Sequence, residues 1–178
     1  MKTQLSEHEF RGVRLQIESE LSCTEVLRRL RELTGHAPIA EFDALAASTT
    51  SVEQFNRDVT ERFVGPSGFM IFAQIDHGKW ISQYGINRWV RRIILGNPLI
   101  AITMIRHDIS AGLFAPVELL LIDHEADSGS TLYYVRPSTL MLIEENAQLA
   151  SAALELDRKL ELLISNVTGL SNTCAPIS

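Results

Sequence analysis

The sequence has few positive charges relative to negative ones, only two cysteines and no apolar run of membrane-spanning length. Its 16 Lys and Arg residues against 22 Asp and Glu residues give a formal net charge of −6. Nucleic-acid binding needs a concentrated basic face, which an acidic chain of this kind is poorly suited to provide. A membrane helix needs roughly 20 consecutive apolar residues. We therefore predict a soluble protein with no nucleic-acid and no membrane partner.

The cysteines and the first residues indicate a cytoplasmic protein. Cys23 and Cys174 lie far apart, without the Cys-x-x-Cys or Cys/His spacing of a thiolate zinc site. Residues 1–10 are polar and acidic, unlike the apolar centre of a signal peptide. A reduced, cytoplasmic setting is the expectation for such a chain.

Several common catalytic signatures are missing. The sequence contains no nucleophile elbow, no phosphate-binding glycine loop, no His-Glu-x-x-His pair and no dinucleotide fingerprint. Their absence removes the commonest hydrolase, kinase, metalloprotease and dehydrogenase assignments, although distant residues can still assemble a site. The sequence predicts no metal site and identifies no cofactor.

A short apolar helix is the centre of the predicted fold. Asn97 can cap a helix whose first residue is Pro98, a position where the missing N–H of proline costs nothing. From Leu99 to Ile105 the segment is apolar on nearly every side, and it then reaches Arg106, His107 and Asp108. A helix without a polar face predicts that protein encloses it on all sides.

The remaining pattern predicts strands and helices in alternation. Periodicity predicts strands at 12–19, 69–75, 89–95, 117–122 and 130–136, and helices at 22–35 and 50–64. Residues 36–50 read as a surface loop or a loose short helix. Residues 79–86 read as a short helix with Trp80, Ile81 and Tyr84 turned inward. A turn at Asp127, Ser128 and Gly129 makes the last two strands antiparallel neighbours.

A long helix follows Pro137, at about 146–168, and carries leucines at alternating steps of four and three. We expect this helix to lie across a sheet. The alternative is a helix that pairs with a partner protein through Leu149, Leu156 and Leu163. The whole chain, 1–178, is expected to form one α+β domain with a mainly antiparallel sheet and helices on one face.

Half of the chain, most clearly residues 68–137, resembles the family known as the domain of unknown function 302. The resembling residues are Gly68-Phe69 with Ile75-Asp76-His77, Leu95-Gly96-Asn97-Pro98, Ala111-Gly112-Leu113 with Ala115-Pro116-Val117, and Tyr134 before Arg136-Pro137. This chain departs from the usual pattern at Ile86-Asn87-Arg88-Trp89 and in a longer helical part at 20–64. The resemblance implies a curved sheet like that of the TATA-binding-protein-like fold, and a homodimer.

Three Asp/His pairs end apolar segments: Asp76-His77, His107-Asp108 and Asp123-His124. Imidazole and carboxylate together can perform acid/base chemistry or bind a metal. Neighbouring residues of a strand point to opposite faces, so a site would need members of different pairs. The catalytic candidates are Asp76, His77, His107 and Asp108; the alternative is that these residues cap or solvate the ends of apolar segments.

Arginines surround the same part of the chain. Arg91, Arg92 and Arg106, with Asn97 at the helix start, are candidates for binding a small anionic ligand. The alternative is a set of ion pairs with Asp76, Asp108 or Glu118. The leading functional hypothesis is a dimeric protein that binds a small ligand or another protein. The competing hypothesis is an enzyme with a His/Asp acid/base pair, with or without a metal.

Overall fold

A computed structural model describes residues 3–124 and 128–171 of the chain. Six strands form one sheet in the order β1-β6-β5-β4-β3-β2, and every neighbouring pair is antiparallel except the short parallel pair β2 and β3. The strands are β1 Arg14–Ser19, β2 Gly35–His36, β3 Met70–Asp76, β4 Val90–Gly96, β5 Val117–Asp123 and β6 Ser130–Val135. The predicted α+β fold is confirmed.

Helices account for most of the remaining described chain. They are α1 Cys23–Leu33, α2 Ile39–Ser48, α3 Val52–Arg62, α4 His77–Ile81, α5 Pro98–Ile105, α6 Ser138–Met141 and α7 Ala147–Thr168, with 3₁₀ helices at Ser82–Tyr84 and Ile109–Phe114. Of the two alternatives for residues 36–50, a surface loop or a short helix, the structure has the helix, which is ten residues long. The turn predicted at Asp127 falls outside the described residues. None of the helices in the described chain combines the length and apolar character that a bilayer crossing requires.

The main core lies between α1, α7 and one face of the sheet. Val26 and Leu30 of α1 and Leu160 of α7 are fully buried with Leu121 of β5. Leu149, Leu156 and Leu163 are buried in the same cluster. The alternative in which these three leucines bind a partner helix is therefore wrong, because the sheet already covers them.

A second, smaller core joins α2 and α3 to β3. Leu45 of α2 and Val59 of α3 are buried together with Met70, and Phe72 packs against them. Side chains alternate between the two faces of a strand, and Phe69 belongs to the main core. The continuous apolar run of β3 therefore contributes to two cores, one on each face. Helices thus pack on both faces of the sheet, and not on one face as the sequence predicts, because β3 is apolar on both sides.

Two predictions about enclosure are wrong. Of the α5 residues only Met104 is buried, and 43% of Ile102 is exposed. The helix packs against α7 and the 3₁₀ helix at Ile109–Phe114, and its outer side stays open because an all-apolar pattern does not specify which sides have neighbours. Trp80 and Tyr84 are also exposed rather than inward, at 53% and 78%.

Candidate functional site

The predicted site residues lie at opposite ends of β4. Arg91 pairs across the sheet with Asp76, whereas Asn97 follows Gly96, which pairs with Met70. A strand rises about 3.3 Å per residue, so Arg91 and Asn97 are separated by about 20 Å along it. One small ligand therefore does not contact both of them.

Asp76 and His77 start helix α4. The Asp76 carboxylate accepts the backbone N–H of Lys79 at 3.2 Å and pairs with the Arg91 guanidinium at 2.9 Å. Partial burial raises the pKa of Asp76, but the hydrogen bonds from Arg91 and Lys79 and their positive charges outweigh it and hold that pKa below its usual range. His77 Nδ1 accepts the indole N–H of Trp80 at 3.1 Å.

His107 and Asp108 occupy another part of the surface. Asp108 accepts both the hydroxyl and the backbone N–H of Ser110, at 2.7 and 2.8 Å, and these hydrogen bonds lower its pKa. Its side chain caps the 3₁₀ helix at Ile109–Phe114. His107 lines a groove with Phe10 and Phe114, whereas His77 lines a different groove on the sheet. Both aspartates therefore act as the helix caps that the alternative interpretation expects.

The arginines likewise do not meet at one place. Arg91 binds Asp76, and Arg92 donates to Glu118 at 3.0 Å. Arg106 donates to the carbonyl of Ile102 in its own helix at 3.2 Å. The ion pairs expected as the alternative to ligand binding are thus present for Arg91 and Arg92.

In the described ranges 3–124 and 128–171, no group of three or more His, Cys, Asp or Glu side chains is placed to hold a metal ion. The third Asp/His pair is also engaged in side-chain contacts. Asp123 forms an ion pair with Arg88 at 2.9 Å, and His124 Nε2 lies 2.8 Å from a carboxylate oxygen of Glu18. These contacts connect the end of β5 to Arg88 and Glu18, as expected of polar residues that follow an apolar strand.

A pocket forms where two of the segments that carry the family resemblance meet. Gly96, Asn97 and Pro98 come from the end of β4 and the start of α5; Ala115, Pro116 and Val117 come from the start of β5. Together they line a pocket of about 320 Å³, which we call the Gly-Asn-Pro pocket. The other lining residues are Ile39, Phe42, Phe72, Ile94, Ile100, Ala101, Met104 and Leu156.

The lining of the Gly-Asn-Pro pocket offers almost no polar group to a ligand. Among the described residues that line it, Asn97 has the only polar side chain. Asn97 Oδ1 accepts the backbone N–H of Leu99 and its Nδ2 donates to the carbonyl of Gly68, both at 2.8 Å. The oxygen and the nitrogen of that amide therefore each already make a hydrogen bond within the protein. What remains is an apolar wall that can take up an apolar molecule.

Part of the pocket lining could not be predicted from local patterns. Phe42 belongs to α2, a segment with no sustained periodicity, and Phe72 belongs to a continuous apolar run that reveals no face. Both reach the pocket only through the tertiary fold. The signal that was available is the pair of motif segments, Gly96-Asn97-Pro98 and Ala115-Pro116-Val117.

Comparison with known proteins identifies the family. The family model described as "Domain of unknown function DUF302" matches residues 45–167, well over half of the chain. The chain belongs to the DUF302 family. In this DUF302 protein, both motif segments of the Gly-Asn-Pro pocket lie within the matched residues, whereas β1 and α1 precede them.

The DUF302 fold has also been seen in a solved structure. The crystal structure of an uncharacterized conserved DUF302 protein from Bacillus stearothermophilus superimposes with a TM-score of 0.59 at 13% sequence identity. The match covers 86% of this chain and 97% of that one. At this identity the likeness concerns the fold. No functionally curated protein matches the sequence.

Proposed function

We propose that this protein binds a small, uncharged and predominantly apolar molecule in the Gly-Asn-Pro pocket. The observation that carries the proposal is the lining: a pocket of about 320 Å³ whose described lining residues are apolar except for Asn97, which is already hydrogen-bonded within the protein. Ligand pockets measure about 300 to 1,000 Å³ and are mostly apolar. The volume therefore suits a small ligand. We expect the protein to bind this ligand in the cytoplasm.

The other functional hypotheses have less support. Among the catalytic candidates, the Asp76 carboxylate is held by Arg91 and Lys79, and His77 and His107 lie in different grooves. An anionic ligand would need a cation in the Gly-Asn-Pro pocket, and none lines it. The apolar lining of the Gly-Asn-Pro pocket therefore favours a ligand that buries apolar surface against it.

A neutral fluorescent probe tests the proposal. N-phenyl-1-naphthylamine should bind the wild-type protein saturably, with increased fluorescence. Ala101→Phe fills the pocket and should weaken this binding by at least about tenfold, since the probe and the new ring compete for one volume. Thr103→Phe is the matched control because it adds the same ring to an exposed residue of α5 outside the lining. Equal probe binding by the two variants would contradict the proposal.

We also propose a homodimer formed through the outer side of α5 and the 3₁₀ helix at Ile109–Phe114. Ile102, Ile109 and Leu113 are exposed there, and exposed apolar patches mark interaction sites. All three residues are uncharged, and in a symmetric dimer the apolar patch of each chain would cover the same patch of the other.

Light scattering tests the dimer. The wild-type protein should have twice the chain mass of 19.9 kDa. Ile109→Glu should convert it to a monomer, because the new charge would be buried at the interface. Leu162→Glu, a change at an exposed leucine of α7, should leave the dimer intact. A wild-type monomer, or a dimer that survives Ile109→Glu, would contradict this interface.

A further inference from the structure

A second groove lies on the face of the sheet opposite the main core. Arg92, Leu120 and Tyr133 are cross-strand neighbours on β4, β5 and β6. Their side chains point away from the face on which Leu119 and Leu121 are buried, because residues of a strand alternate. With Arg14, His77 and Trp80 they line a groove of about 540 Å³, which we call the sheet groove. It shares no lining residue with the Gly-Asn-Pro pocket.

Two aromatic rings give the sheet groove surfaces for stacking. Trp80 is 53% exposed, yet its ring is held in place. Its indole N–H donates to His77 Nδ1 at 3.1 Å, and its edge contacts the rings of His77 and Tyr84 at centroid distances of 5.9 and 6.2 Å. Tyr133 is half-buried in the sheet. Fixed, partly exposed rings favour a planar aromatic ligand because little side-chain entropy is lost on binding.

The charges of the sheet groove favour an anion. Arg92 is neutralised by Glu118, its diagonal neighbour on the next strand. Arg14 instead lies 6.0 Å from the centroid of the Tyr133 ring, and in the described part of the chain no carboxylate reaches it. Two guanidinium groups against one carboxylate leave a local excess of positive charge in a chain whose net charge is −6. A guanidinium binds a planar carboxylate through two parallel hydrogen bonds.

We propose that the sheet groove binds a small aromatic carboxylate, with its ring against Trp80 and Tyr133 and its carboxylate on Arg14. The inference does not depend on the function proposed for the Gly-Asn-Pro pocket. The apolar residues Val90, Leu120 and Val135 complete the groove and exclude water from the ring. No covalent step is involved, so the proposed activity is reversible binding.

Calorimetric titration with 2-naphthoate tests this site, with the uncharged 2-naphthamide as the matched probe. The wild-type protein should bind 2-naphthoate, more weakly as salt is added, and should bind 2-naphthamide at least about tenfold more weakly. Arg14→Gln should reduce naphthoate affinity by about tenfold or more. Arg57→Gln, which removes an exposed arginine of α3 outside the groove, should not change it.

Other outcomes overturn the proposal. Absence of naphthoate binding by folded wild-type protein would do so, and so would equal affinity in the Arg14→Gln and Arg57→Gln variants. Loss of naphthoate binding in Ala101→Phe would place the ligand in the Gly-Asn-Pro pocket instead. Because Arg14 is exposed, circular dichroism should show the same unfolding temperature for Arg14→Gln and the wild-type protein. Failure of N-phenyl-1-naphthylamine to bind would contradict only the apolar pocket.

Discussion

Leu163→Glu is expected to unfold the protein at room temperature. Leu163 is 1% exposed and belongs to the core between α7 and the sheet. The change removes a buried leucine side chain, which alone costs about 2 to 5 kcal/mol, and leaves a carboxylate without a partner in an apolar environment. Domains are stabilised by only about 5 to 15 kcal/mol in total. Circular dichroism should therefore show loss of the native spectrum.

Leu162→Glu is the matched control for this experiment. It makes the same change one residue earlier in α7, where the leucine is 50% exposed. Surface changes of this kind usually alter stability by no more than about 0.5 kcal/mol, so the variant should melt like the wild-type protein. If Leu163→Glu also folded normally but lost a partner, the buried position of α7 would be wrong, and the partner-helix alternative would return.

Gly35→Ala is expected to destabilise the protein by more than about 3 kcal/mol, beyond the usual cost of overpacking. A Cβ atom on Gly35 would lie 1.6 Å from the carbonyl oxygen of Phe63, and one on Gly65 would lie 2.2 Å from the carbonyl carbon of Thr34. The obstructing atoms are backbone, which a side-chain rotation cannot relieve. The amides of Gly35 and Gly65 also both donate to the carbonyl of Phe69, at 2.9 and 3.0 Å.

Chemical denaturation measures this effect, with Gly12→Ala as the control. A Cβ on Gly12 would meet its nearest neighbour, Leu140 Cδ2, at 3.5 Å, an ordinary contact distance. Gly12→Ala should therefore change the free energy of unfolding by no more than about 0.5 kcal/mol. Equal denaturation midpoints for Gly35→Ala and Gly12→Ala would show that the backbone segments at Gly35 and Gly65 do not pack this closely.

These glycines show what local sequence can and cannot predict. The first helix is predicted at 22–35, and α1 ends at Leu33, just before Gly35. The close approach to Gly65 is a tertiary feature, so no periodicity reveals it. In the same way Asn97 and Pro98 predicted the start of α5 correctly, because capping is local. The open side of α5 depends on which elements pack against it, and these come from other parts of the chain.

The candidate site likewise combines features that are local in sequence with features that only the tertiary fold creates. The segment Gly96-Asn97-Pro98 is recognisable in the sequence as part of the family resemblance, but the prediction associated Asn97 with an anion, because its chain neighbours Arg91, Arg92 and Arg106 are cations. The length of β4 separates Arg91 from the pocket, and the opposite wall comes from Phe42 and Phe72. The three Asp/His pairs are visible in the sequence because their members are adjacent. Their ion-pair partners, such as Arg91 for Asp76, depend on the strand register.

The most direct test of the Gly-Asn-Pro pocket is the NMR spectrum of ¹³C-labelled methionine methyl groups during titration with N-phenyl-1-naphthylamine. Of the three methionines in the described residues only Met104 lines the pocket, whereas Met70 and Met141 are buried in other parts of the core. Probe binding in the pocket should give a saturable ring-current shift of the Met104 methyl signal, with the Met70 and Met141 signals unchanged. Probe binding that leaves the Met104 signal in place would contradict it.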